Sequence, residues 1–154
     1  MLRTNVKRML ARSFAAVTLC LTAATLTASP TPRAGGESFQ IYLNNKLLLT
    51  QVASRSFSLQ SLELKKSNDH DELVIYYYHC NTPDRAGRGR SISLKDTDGR
   101  VIKTWNFGDP AKSGVAMKIS VKELLQLEKD HPGSPLNLVY MSQGRTQGQP
   151  LASL

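Results

Sequence analysis

Hydrophobic and polar positions alternate along most of the chain after residue 38, in short runs separated by turn-forming residues. Residues 39–43 read Phe-Gln-Ile-Tyr-Leu, Asn44 and Asn45 follow, and residues 46–52 form a second apolar run. A period of two is the pattern of a strand with one buried face, and asparagine tolerates the positive φ of a tight turn. This region therefore predicts a β-hairpin.

The strongest strand pattern lies at residues 73–79, where three tyrosines stand among β-branched residues. Both faces of this strand are apolar, with Leu73, Ile75 and Tyr77 on one side and Val74, Tyr76 and Tyr78 on the other. Aromatic and β-branched side chains suit a packed, pleated surface. A strand with two apolar faces predicts a central position, covered on both sides.

Further strands are predicted where alternation recurs between turn residues. They lie at residues 57–64 (with a slip that indicates a bulge or bend), 91–95, 101–107, 136–142 and, as a possible edge, 151–154. Thr97-Asp98-Gly99 is a strong hairpin turn between the second and third of these. About eight strands at this spacing predict an all-β, mainly antiparallel fold: a β-sandwich, or alternatively a small barrel.

One short helix is predicted after Ser120. Ser120 and Glu123 have the spacing of a capping box, in which each side chain bonds to the other residue's backbone amide. Val121, Leu124 and Leu125 then share one face, and Pro132 ends the element. We expect this helix to cap one end of the β-structure.

The first 28 residues have a different composition. Residues 1–13 contain four basic residues and no acid, residues 14–28 are uncharged, and a proline- and glycine-rich stretch follows. This order is typical of a secretory signal peptide, and the uncharged run is too short and too rich in threonine for a membrane span. The sequence predicts a signal peptide at 1–28, a polar linker at 29–37 and a single β-sandwich-like domain at 38–154.

Export to the periplasm or the cell exterior follows from this interpretation, with cleavage after Ala24 or Ala28. Arginine, serine and threonine without acid also describe a mitochondrial transit peptide, which is the alternative. The charge of the chain does not indicate nucleic-acid binding and does not require a polyanion partner. The net charge of +8 includes Arg3, Lys7, Arg8 and Arg12; without these four, 16 basic residues against 12 acidic ones leave +4.

His79 and Cys80 close the strongest strand and are the candidate metal ligands. Cys80 is the only cysteine left once residues 1–28 are removed, so no internal disulfide is possible. A thiol beside an imidazole can bind copper or zinc, but adjacent strand residues point to opposite faces. We therefore favour a small buried cysteine and a hydrogen-bonded histidine with no cofactor, and keep copper or zinc as the alternative.

Arg85, Arg88 and Arg90 lie on a glycine-rich loop and are the candidate ligand-binding residues. Three guanidinium groups can hold a phosphate, a sulfate or an acidic glycan. The loop lacks the terminal Lys-Ser/Thr of a phosphate-binding P-loop and the interleaved aromatic residues of a nucleic-acid platform. It therefore predicts an anion contact of another kind, or a solvated loop.

Aromatic residues offer a second kind of contact. Trp105, Tyr76, Tyr77 and Tyr78 could stack against a sugar, although aromatic residues in strands usually pack in a core. Enzyme motifs are lacking: there is no Gly-x-Ser-x-Gly elbow, no His-Glu-x-x-His helix and no dinucleotide-binding glycine pattern. Catalysis by a small hydrolase with an unrecognised site is kept only as an alternative.

Three segments are spread over the middle half of the chain: Tyr78-His79-Cys80, the run from Arg90 to Asp96, and Trp105-Asn106-Phe107. In these segments the chain resembles a group of uncharacterised small exported bacterial proteins. The resemblance implies secretion and a β-rich fold without assigning an activity. The sequence as a whole predicts an exported, non-enzymatic binding or accessory protein whose ligand is a partner protein, a glycan or another anion. A periplasmic metal-binding protein is the alternative.

Overall fold

The computed structural model of the protein describes residues 36–53, 58–66, 70–80, 86–143 and 145–154, which all lie within the unit Pro32–Leu154. These residues form eight strands and one helix. The elements are β1 (Ser38–Leu43), β2 (Lys46–Val52), β3 (Glu72–Tyr78), β4 (Arg90–Lys95), β5 (Val101–Phe107), β6 (Met117–Ser120), α1 (Val121–Asp130), β7 (Asn137–Ser142) and β8 (Arg145–Ser153). The predicted signal peptide and nearly all of the predicted linker lie outside the described residues.

The strands form two four-stranded antiparallel sheets. Sheet 1 has the order β2-β1-β3-β6, and sheet 2 has the order β5-β4-β7-β8. The two sheets pack together and do not close into a barrel, so the predicted β-sandwich is confirmed and the alternative barrel is wrong.

The core lies between the sheets and follows the period of two in each strand. The inward positions of the inner strands are fully buried: Phe39 and Ile41, Leu73 and Ile75, Ile92 and Leu94, and Leu138 and Tyr140. Burying one such side chain stabilises the fold by about 1.5–3 kcal/mol. Because a slip of one residue would turn each of these series to the outside, the alternation also fixes the register.

The predicted hairpin between β1 and β2 is confirmed. Asn44 adopts a φ of 52°, the left-handed conformation that the turn requires. Its side chain also fastens the turn to the next strand of sheet 1, since its Nδ2 donates to Asp71 Oδ1 at 2.9 Å and its Oδ1 accepts the Glu72 amide at 3.0 Å. The asparagine therefore serves as both a turn residue and a link to the start of β3.

The late and irregular parts of the chain differ from the prediction. Within the described part of 57–64 there is no strand, and only Ser61 pairs, in a single parallel bridge to Ser153. β6 was not predicted at all, and the expected edge at 151–154 is the end of the nine-residue strand β8. Pro150 fits there because the far edge of a terminal strand needs no amide donor.

The helix is confirmed, but its capping box is wrong. Ser120 is the N-cap residue and makes no side-chain capping bond. It is also the last residue of β6, paired with Glu72, and Val121 donates its amide to the Asp71 carbonyl at 2.9 Å. Glu123 turns instead to sheet 2, where it accepts the Trp105 indole N–H at 2.9 Å. α1 therefore covers the side of the sandwich where β5 and β6 are edge strands.

The one helix in the described part of the chain, α1, is not long and apolar enough to span a membrane.

β3 is central, as predicted, and its inner face is buried. On its outer face Val74 is buried, whereas Tyr76 and Tyr78 are only half-buried, so the expected full cover on that side is wrong. Neighbouring side chains of the same sheet shield these rings in part.

Candidate functional site

A polar cluster occupies one end of the space between the sheets. Phe39 pairs with Tyr77, and the same antiparallel register carried two residues further sets Glu37 opposite His79. Both are inward positions, because Phe39 and Tyr77 are. From sheet 2, Tyr140 and Arg145 complete what we call the Glu37 cluster: Glu37, Tyr77, His79, Tyr140 and Arg145.

The carboxylate of Glu37 is the common acceptor of the cluster. Its Oε2 accepts the Tyr77 hydroxyl at 2.7 Å and forms an ion pair with the Arg145 guanidinium. Its Oε1 lies 3.3 Å from His79 Nδ1. One side chain just ahead of β1 therefore connects β3 of sheet 1 with β8 of sheet 2.

His79 continues the chain of hydrogen bonds to Tyr140. The imidazole Nε2 lies 2.8 Å from the Tyr140 hydroxyl. Because the ionised carboxylate of Glu37 can only accept, we assign the ring proton to Nδ1, which leaves Nε2 to accept from the phenol. The Tyr77 and Tyr140 rings stack with their centroids 4.0 Å apart, and His79 is 5% exposed.

Gly87 closes the cluster from the side. A Cβ placed on this residue would lie 2.4 Å from both His79 Nε2 and the Tyr140 hydroxyl oxygen. Real Cβ atoms do not approach other heavy atoms so closely, so only glycine lets the backbone pass here. The hydrogen bond between His79 and Tyr140 is therefore covered directly by main chain.

Burial dominates the electrostatics of the cluster. It raises the pKa of Tyr77 and of Tyr140 above the ordinary value of a phenol. It also lowers the pKa of His79 below 6.5, and the positive charge of Arg90 adds to that effect. At neutral pH the cluster therefore holds a neutral imidazole, two neutral phenols and one carboxylate–guanidinium ion pair.

The order carboxylate, imidazole, hydroxyl is that of a catalytic triad, but this arrangement is closed. Tyr140 is fully buried, its ring lies against Tyr77, and Gly87 covers its hydroxyl. The raised pKa of Tyr140 also disfavours a phenolate nucleophile. The geometry therefore fits an internal fastening between the sheets.

The lowered pKa of His79 makes the stability of the fold depend on pH. The unfolded chain takes up a proton on this residue near pH 6.5, and the folded protein does so only at lower pH. Below pH 6.5 the unfolded state thus binds more protons. We expect the free energy of unfolding to be highest above that pH and to decrease as the pH falls through it, in urea titrations.

Two variants isolate this contribution. His79→Gln cannot titrate, so its unfolding free energy should change less with pH than that of the wild type. Asn106→Gln, at an exposed position on β5, changes no titratable group and should keep the wild-type slope. Equal slopes for His79→Gln and the wild type would contradict the assignment.

The candidate metal ligands do not form an open site. Both ring nitrogens of His79 have partners, so an ion at Nε2 would have to displace the Tyr140 hydroxyl. Cys80 is half-buried and not in a disulfide. Among the described residues, no three His, Cys, Asp or Glu side chains group closely enough to hold a metal ion. Copper or zinc binding through His79 and Cys80 stays a prediction.

The described arginines of the loop lie in different environments. Arg85 lies outside the described residues, and Arg88 is exposed. Arg90 is 6% exposed, and its guanidinium donates to the Gly108 carbonyl at 2.8 Å and to the Val115 carbonyl at 2.9 Å. Arg90 therefore fastens the loop between β5 and β6. An anion contact by Arg85, Arg88 and Arg90 stays a prediction.

The outer surface of sheet 1 carries a second group, which we call the tyrosine face: Tyr42, Tyr76, Tyr78 and Gln40. Gln40 pairs with Tyr76 across β1 and β3. Its Oε1 accepts the Tyr42 hydroxyl at 3.1 Å and lies 3.5 Å from the Tyr78 hydroxyl oxygen. The Tyr42 and Tyr76 rings meet edge to face at 5.6 Å. All four side chains are half-buried.

Of the aromatic residues considered from sequence, Tyr76 and Tyr78 thus lie on an outer face, whereas Tyr77 is in the core and Trp105 packs beside α1. Sequence reasoning missed Tyr42 as their neighbour, and it missed Glu37 as the partner of His79. The period of two along the strand could have indicated both. Glu37 lies an even number of residues from Phe39 and so on the same, inner face, whereas Tyr42 lies an odd number of residues away and so on the outer face.

The fold and these sites define an all-β, mainly antiparallel sandwich with a closed internal polar cluster and a tyrosine-rich outer face. Comparisons with models of protein families, with curated proteins and with solved structures find no match. The resemblance to small exported bacterial proteins stays a prediction, and the function has to be argued from the sites themselves.

Proposed function

We propose that the protein is an exported, non-catalytic binding or accessory protein. The tyrosine face is the observation that carries this proposal. It places three aromatic rings with polar tips on the outer side of a two-sheet scaffold, where a ligand can reach them. Tyrosine is favoured in binding surfaces because it supplies a large contact area at a low cost in side-chain entropy.

The Glu37 cluster supports the non-catalytic part of the proposal. It joins carboxylate, imidazole and hydroxyl groups that bond to one another, and the backbone at Gly87 covers the His79–Tyr140 hydrogen bond. A substrate would have to open the packed end of the sandwich to reach the Tyr140 oxygen. We therefore place the interactions of this protein on its surface.

Export is tested on the full-length chain carrying a C-terminal tag. Fractionation and intact-mass measurement should find, outside the cytosol, a form that begins after Ala24 or Ala28. Recovery of the full-length mass from the cytosol alone would contradict export.

Binding without turnover is tested with the same purified protein and a panel of cell-surface oligosaccharides and proteins. A ligand that binds should be recovered with its mass unchanged after prolonged incubation. Chemical conversion of the ligand by wild-type protein would overturn the non-catalytic proposal. Failure of every ligand in the panel to bind would remove the binding function itself.

A further inference from the structure

The tyrosine face has a chemistry that restricts what it can bind. Aromatic rings offer apolar faces, and the phenol hydroxyls and the Gln40 carboxamide add hydrogen-bonding groups between them. A saccharide has the matching pattern, with C–H groups on the faces of its ring and hydroxyls around the edge. The surface therefore fits a sugar better than a purely apolar ligand.

Gln40 places a hydrogen-bond donor at a fixed position on the tyrosine face. Its Oε1 is turned towards the Tyr42 and Tyr78 hydroxyls, and this fixes the orientation of the carboxamide. Its NH₂ group has no hydrogen-bond acceptor among the residues that the structure describes, and it remains a donor. A sugar hydroxyl or an acetamido carbonyl is a suitable acceptor for it.

The charge around the face argues against an anionic ligand. Lys118 lies beside Tyr76 on β6, but its ammonium is paired with Glu72 at 2.7 Å. A phosphate or sulfate group needs unpaired cations, and a nucleic acid needs them along its backbone. The patch therefore fits a neutral ligand.

A protein partner fits less well than a sugar. Stable protein interfaces bury about 800 Å² on each side around a desolvated, largely apolar centre. Here the centre of the patch holds the Gln40 carboxamide and the Tyr76 ring, and the exposed aliphatic residues Leu47 and Val52 lie on the edge strand β2. Burial under a protein would leave the Gln40 donor to be satisfied separately, at a cost of about 1–3 kcal/mol.

The scaffold keeps the face rigid before any ligand arrives. β1 and β3 are the two inner strands of sheet 1, so both are hydrogen-bonded on either side. The loop between β5 and β6, which Arg90 fastens, packs Gly114 against Tyr78, where an added Cβ would lie 3.1 Å from the ring. A preorganised surface loses little entropy on binding.

We propose that the tyrosine face binds a neutral oligosaccharide, which packs against the rings of Tyr42, Tyr76 and Tyr78 and accepts a hydrogen bond from the Gln40 NH₂ group. This inference rests on the proposed binding function and names its site and ligand class. It places recognition on the outer side of sheet 1 and not on the arginine loop.

The test titrates purified protein with cellohexaose, chitohexaose and maltohexaose as neutral probes, and with a heparin-derived hexasaccharide as the anionic probe. Calorimetry gives the affinity, and ¹⁵N NMR locates the perturbed residues. At least one neutral probe should bind and shift the amides of β1 and β3. Binding by the heparin fragment alone, with shifts around Arg88, would overturn the inference in favour of the arginine loop.

Variants test the contribution of the aromatic rings. Tyr76→Ala and Tyr78→Ala should each weaken binding of the neutral probe at least about tenfold, and Tyr76→Phe should retain most of it. Asn106→Ala, at an exposed position on β5 of sheet 2, is the matched control and should bind like the wild type. Thermal melts establish that each variant is folded, and Tyr76→Phe keeps the test valid if an alanine variant unfolds.

Two further results would overturn the inference in distinguishable ways. A neutral probe that binds with equal affinity to the wild type, Tyr76→Ala and Tyr78→Ala would leave the binding function standing and remove the tyrosine face as its site. If no saccharide binds but a partner protein does, the ligand class is wrong and the broader proposal survives.

Discussion

Replacing Glu37 with alanine is expected to lower the free energy of unfolding by about 2–4 kcal/mol. The change removes the acceptor shared by the Tyr77 hydroxyl, the Arg145 guanidinium and the His79 ring N–H. Each donor then stays in a largely buried place without its partner, although Arg145, at 28% exposed, keeps some contact with water. Because small domains are stable by only about 5–15 kcal/mol, this is a large fraction of the total.

Urea unfolding followed by the fluorescence of Trp105, the single tryptophan of the chain, measures this effect. Glu37→Gln keeps an acceptor oxygen and loses the charge, so its loss should be smaller. Glu128→Gln alters an exposed carboxylate on α1 and should stay within about 0.5 kcal/mol of the wild type. If Glu37→Ala were as stable as Glu128→Gln, the cluster would not fasten the sheets.

Replacing Gly87 with alanine is expected to cost about 2–3 kcal/mol. The new methyl group would lie 2.4 Å from both partners of the His79–Tyr140 hydrogen bond. Neither ring can move aside easily, because Tyr140 is fully buried and stacks on Tyr77. Either the hydrogen bond breaks or the segment carrying Gly87 shifts away from the sandwich.

Gly108 provides the matched control, since nothing lies within 4 Å of a Cβ added there. Gly108→Ala keeps the carbonyl that accepts from Arg90, and its stability should equal or slightly exceed that of the wild type. Chemical denaturation of both variants under the same conditions makes the comparison. Equal stabilities for Gly87→Ala and Gly108→Ala would show that the approach at Gly87 is not tight in solution.

Local pattern was enough to predict the fold class and most of the inner strands. β1, β3 and β7 are runs of alternating or fully apolar residues, and their burial follows that pattern. β8 was largely missed because Gly148 and Pro150 are turn formers, and β6 because its four residues lead straight into α1. In both cases pairing with a neighbouring strand outweighs weak local preference.

The sites depended on pairing that local pattern does not contain. His79 was recognised as a residue of interest, but its partner Glu37 is brought to it by pairing of β1 with β3, which passes over β2 in sequence. Tyr42 reaches Tyr76 through the same pairing. Which strands become neighbours is set by the packing of the whole chain, so these contacts could not be predicted from residue spacing.

The ion pair between Glu37 and Arg145 joins residues 108 positions apart. The Glu37 cluster can therefore be completed only after nearly the whole chain has been synthesised. A chain that emerges from its N-terminus, from the ribosome or through a translocation channel, cannot form this pair until β8 has followed. Folds dominated by such distant pairings form slowly. The last strand thus completes the structure, and a chain exported as proposed would gain time to cross the membrane unfolded.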